Sequence, residues 1–107
     1  MQTDPNQAIE YLIKNAAKFA QAKANRVYIE NFLRSKKSLL MAEQEGSIAA
    51  KEAYAYAHPE YRELLEGLRS AVEAEETLKW ILTAADLRVQ VWRTEEASNR
   101  RQDRSTQ

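Results

Sequence analysis

Apolar residues recur at helical spacing along most of this 107-residue chain. Ile9, Leu12, Ile13, Ala16, Phe19 and Ala20 open the pattern. Val27, Tyr28, Phe32 and Leu33 carry it on to Leu39, Leu40 and Met41. No Gly or Pro interrupts residues 6–45, so the spacing predicts one long helix over about residues 5–45. Asn31 and Ser35 are its weakest points. Asp4-Pro5-Asn6-Gln7 reads as its start: a side chain that accepts from free amides, a proline tolerated at the first position, and capping-box spacing.

Gly46-Ser47 is a stop followed by a restart, with Ser47 as N-cap of a short helix ending near residue 57. His58-Pro59 breaks the chain again, because a residue before proline is pushed out of helical geometry. From Pro59 the signal is sharper. Tyr61, Leu64, Leu68, Ala71, Glu75, Leu78, Leu82, Ala85, Val89 and Trp92 alternate steps of three and four without a miss. Glu75 is the one charged member, and Leu65, Val72 and Ile81 widen the stripe to one side. Such a heptad repeat predicts a long helix over 59–97 packed in coiled-coil style. The chain turns polar at SNRRQDRSTQ, and residues 99–107 read as a frayed or disordered tail.

The expected fold is therefore all-α: an extended antiparallel hairpin of two long helices joined by a short one. It forms one helical domain over residues 1–98. Its apolar stripes are too long and wide for a single partner helix, which implies assembly into an oligomer or with a constitutive partner. On this reading the oligomer interface falls on Leu64, Leu68, Leu78, Leu82, Val89 and Trp92.

Charge adds asymmetry. Sixteen basic and sixteen acidic residues cancel, so net charge gives no argument for nucleic acid. Residues 1–45 nevertheless carry seven basic against five acidic side chains, residues 51–76 three against seven, and residues 77–107 six against four. Two mildly basic arms flank an acidic middle, a pattern suited to head-to-tail or antiparallel self-association. The absence of cysteine excludes disulfides and thiolate metal sites. No apolar run approaches the roughly 20 residues of a membrane span, and MQTDPNQ has no signal-peptide character. The expected location is the cytoplasm, with no membrane partner.

Candidate catalytic chemistry is sparse. His58, the single histidine, stands before Pro59 and reads as a cap or turn residue rather than a base. Gly46 and Gly67 stand alone, so no phosphate loop is present, and no cluster offers metal-ligand spacing. No cofactor, metal or catalytic residue is expected.

Binding chemistry has more to draw on. Lys23, Arg26, Arg34, Lys36 and Lys37 lie on the first helix, and Lys51 on the second. Basic side chains in such positions displace counterions from a nucleic-acid backbone. The alternative is a solvated surface balanced by the acidic middle. Tyr54 and Tyr56 stand close to Lys51, and exposed tyrosines let single-stranded bases stack; the alternative places Tyr54 and Tyr61 in the core. Trp92 belongs to the apolar seam and Trp80 lies off it.

The order of these features over roughly residues 17–93 resembles the phage recombination mediator family of the UvsY type. The resemblance rests on AKFAQAKANRVYIENFLRSKKSLL, then AEQEGSIAAKEAYAYA with a lysine before paired tyrosines. HPEYRELLEGLRSAVEAEETLKWIL follows, and last the Trp92-Arg93 pair with Glu95 and Ala97. It implies a homo-oligomer that binds single-stranded DNA and helps load a recombinase in place of a single-strand-binding protein. The family's basic motif falls on Lys51, but its second basic position is Ala53 here, and LTAADLRVQVWRTEEASN has no glycine where the family has one. The reading from a different class is a helical module that docks on a host or phage DNA-metabolism protein.

Overall fold

The computed structural model describes residues 4–106, and these form three α-helices. Helix α1 runs Pro5–Ala42, α2 runs Ile48–Ala57 and α3 runs Pro59–Thr106, with no strand among the described residues. The all-α hairpin of two long helices and a short connecting one is the observed architecture. Residues 1–3, the start of the segment read as lacking a signal peptide, and Gln107 of the expected tail lie outside the described residues.

Each helix end has a local cause. Asp4 Oδ1 accepts from the amides of Asn6 at 2.9 Å and Gln7 at 3.4 Å, satisfying donors that the first turn leaves free. At the other end α1 stops at Ala42, short of residue 45. There the amides of Glu43 and Gln44 turn back three residues, to the carbonyls of Leu40 and Met41. The chain then reverses at Gly46, whose φ of 122° disfavours any side chain. Ser47 caps α2, its hydroxyl accepting from the amide of Ala50 at 3.1 Å.

His58 serves the next break twice. Its amide donates to the carbonyl of Ala55, closing α2, and its Nδ1 accepts from the amide of Glu60, opening α3. Beyond residue 97 the structure departs from the expected frayed tail, because α3 continues to Thr106. No Gly or Pro stands there to stop it, and Arg100 Nε donates back to the carbonyl of Glu96 at 3.4 Å.

The described residues form two compact units, to each of which both long helices contribute. A junction unit spans Ala20–Glu76, and a terminal unit combines the described residues up to Phe19 with those from Thr77 onward. Within the junction unit α1 and α3 are antiparallel: Arg26 pairs with Glu75 and, further along α1, Lys36 pairs with Glu60. The core there is Leu40, Ala55 and Tyr61, with Leu33, Met41 and Tyr54 packed around it. Within the terminal unit Ala8, Asn15, Ala85 and Val89 are buried.

The α3 heptad stripe is inward throughout, every member from Tyr61 to Trp92 being buried or half-buried. On α1 the inward seam differs from the apolar run. It comprises Ala8, Leu12, Asn15, Phe19, Ala22, Arg26, Ile29, Leu33, Lys36 and Leu40, again in alternating steps of four and three, none of them exposed. Ile13, Tyr28 and Leu39 are instead more than 60% exposed. No helix among the described residues is long and apolar enough to cross a membrane.

Candidate nucleic-acid interface

Five of the eight predicted binding residues gather around α2. Lys36 and Lys37 lie on the last turns of α1, and Lys51, Tyr54 and Tyr56 on α2 itself. Packing of α2 against the end of α1 sets Lys37 Nζ 4.7 Å from the centre of the Tyr56 ring, cation–π distance. Tyr56 is 47% exposed and meets the edge of buried Tyr61 at 5.3 Å between centroids. A core residue thus holds an exposed ring, and the ring holds a cation.

Acidic neighbours moderate this charge. Lys36 pairs with Glu60, and Lys37 Nζ lies 3.6 Å from Glu52. Tyr56 foremost, with Glu52 adding, holds the Lys37 ammonium above the usual lysine range. The Lys36 contact in turn holds the Glu60 carboxyl below the usual glutamate range. The Tyr54 hydroxyl donates to Glu43 Oε2 at 3.1 Å, which pushes its pKa up. Tyr54 also meets the His58 ring edge-on at 5.7 Å. Lys51 is half-buried and has no ion pair among the described residues.

The remaining three residues part company. Lys23 and Arg34 are exposed on α1. Arg26 is turned inward: its Nε and Nη2 reach the two oxygens of Glu75, the latter at 3.2 Å, and its Nη1 reaches Glu30 at 3.0 Å. Two carboxylates use the guanidinium fork and hold it charged, so half-buried Arg26 is committed to ion pairs within the junction unit.

The six predicted oligomer-interface residues also face inward. Leu64 and Leu68 are half-buried in the junction unit. Leu78, Leu82 and Trp92 are half-buried, and Val89 buried, in the terminal unit. The α3 periodicity coincides with positions that are buried or half-buried within the single chain. Sequence reasoning missed the α1 seam, since Asn15, Arg26 and Lys36 interrupt it, and a search for apolar residues passes over it. It also missed Glu43, Glu52 and Glu60 as counter-charges, although all three stand in or beside the acidic middle.

The described residues include no group of three or more His, Cys, Asp or Glu side chains placed to hold a metal ion. Comparison with protein-family models, with curated proteins and with solved structures finds no match for this chain.

Proposed function

We propose that this chain is an accessory protein of phage-type recombination that binds single-stranded DNA as a homo-oligomer and assists loading of a recombinase, working by binding rather than by catalysis. The observation that carries the reading is the Lys37–Tyr56 pair, a cation and an exposed aromatic ring held together on a buried support. Single strands are held through their phosphates by cations and through their bases by ring faces. Phosphates compete with Glu60 and Glu52 for Lys36 and Lys37, while Lys51, Lys23 and Arg34 add contacts that require no such exchange. A strand held this way presents its bases to a recombinase and weakens a competing single-strand-binding protein.

A helical docking module is the second reading, favoured by the same glutamates. Lysines already matched to carboxylates give little field, and the exposed Ile13, Tyr28 and Leu39 offer apolar contact instead. Combining Lys36→Gln, Lys37→Gln and Lys51→Gln separates the two. Loss of oligonucleotide binding at least tenfold, with far-UV circular dichroism unchanged, supports the first. Unchanged oligonucleotide affinity in the folded variant contradicts it and leaves the docking module.

A further inference from the structure

Trp80, Leu87 and Val91 are 64%, 53% and 50% exposed on α3 of the terminal unit. At about 100° per residue, Trp80 and Leu87 lie on the back of α3 relative to its inward seam of Leu78, Leu82, Ala85 and Val89, with Val91 close beside them. With exposed Ala84 they follow steps of four, three and four, a second short heptad stripe. A helix serving a single partner needs only one.

The stripe is its own complement. Its centre falls between Ala85 and Asp86, so an antiparallel copy of α3 sets Trp80 opposite Val91 and Ala84 opposite Leu87. Each large side chain then meets a smaller one, which is how facing layers interdigitate. Thr77 and Thr94 oppose each other at the two ends. In the flanking positions Ile81 faces Arg88 and Thr83 faces Gln90, so no like charges are brought together and an aliphatic arginine stem covers an isoleucine.

We propose that the back of α3 in the terminal unit docks on the same surface of a second copy, antiparallel, through Trp80, Ala84, Leu87 and Val91. This rests on the self-association part of the function proposed above and gives it a surface. Burying a whole tryptophan covers roughly 150–250 Å², and with its neighbours the stripe offers on the order of 400 Å² per copy. Two copies cover on the order of 800 Å², in the range of weak complexes rather than permanent ones. The association is therefore concentration-dependent.

The chain has no cysteine, so crosslinking reports on this contact alone. Ala84→Cys with Leu87→Cys places a thiol of each copy opposite a thiol of the other at two points. Mild oxidation is expected to give a covalent dimer, whereas Asp86→Cys, off the stripe, is expected to stay monomeric. Sedimentation of the full chain over a hundredfold range of concentration is expected to show a rising mass that Leu87→Glu abolishes, with helicity unchanged. A rising mass that Leu87→Glu leaves intact, without the crosslink, overturns the assignment of this surface and leaves self-association standing. A chain that stays monomeric at every concentration overturns both.

Discussion

Arg26 and Glu75 face each other from the inward seams of α1 and α3, and each is a charged residue in a row otherwise built for packing. Glu75 is only 9% exposed, and both its oxygens are engaged by one guanidinium. Drawing the two charges partly out of water offsets much of their attraction, so the pair is expected to matter more through the cost of losing one partner than through net stability. Glu75→Gln is expected to lower the unfolding midpoint by several degrees, since it leaves Arg26 short of a carboxylate. Combining Glu75→Leu with Arg26→Met is expected to recover most of that loss. A double-mutant cycle followed by thermal unfolding measures the coupling, and additive effects would contradict it.

Adjacent leucines give a sharper contrast. Leu40 is 1% exposed at the centre of the junction core, whereas Leu39 is 61% exposed. Leu40→Ala is expected to destabilise by about 2–5 kcal/mol, and Leu39→Ala by no more than about 0.5 kcal/mol. Urea unfolding of the two variants checks this; equal effects would mean that the seam on α1 is misassigned.

That pair also shows how far the sequence could be read. On α3 the inward row is almost wholly apolar, so a search for hydrophobic heptads finds it from Tyr61 to Trp92. On α1 the inward row holds Asn15, Arg26 and Lys36, while Ile13, Tyr28 and Leu39 face out, so hydrophobicity alone selects the wrong neighbours. Ser47 and His58 were legible as helix boundaries because Gly, Ser and Pro act through local backbone geometry. Lys37 and Tyr56 were each singled out from the sequence, but their contact depends on how α2 folds back on α1. The glutamates that match the lysines depend on the same packing. The end of α3 resisted reading for another reason: polar composition suggests fraying, yet nothing in residues 98–106 compels a helix to stop.

The connection between α1 and α2 supports a prediction on the backbone. Gly46→Ala forces a side chain into a φ of 122° and brings its Cβ to 3.4 Å from that of Ala50. It is expected to cost about 1–3 kcal/mol, more than the loss of about 1 kcal/mol for Ser47→Ala, which removes a single cap. Chemical denaturation of both variants tests the order; a harmless Gly46→Ala would contradict the turn geometry.

Stability should fall at both ends of the pH scale. Glu60 has its carboxyl lowered by Lys36, so its contribution is present above the ordinary glutamate range and is lost as pH falls through the depressed value. Tyr54, raised by Glu43, and Lys37, raised by Tyr56 foremost, contribute below their ordinary values of about 10 and lose that contribution as pH climbs through the raised ones. These groups are accessible to solvent, so each effect is small. Melting curves from pH 3 to 11 are expected to show Lys36→Gln flattening the acid limb and Glu43→Gln the alkaline one. Limbs that neither variant changes would assign the pH dependence to other groups.

Fluorescence anisotropy of a labelled single-stranded oligonucleotide, titrated with the purified chain at several salt concentrations, bears most directly on the proposed function. Lys23, Arg34, Lys36, Lys37 and Lys51 contacting phosphates imply a logarithmic slope of roughly −3.5, or about 130-fold weaker binding for a fourfold rise in salt. Binding with that slope, further weakened by Tyr56→Ala, is the expected result. No binding at low salt by the folded chain, or an affinity indifferent to salt, would contradict it.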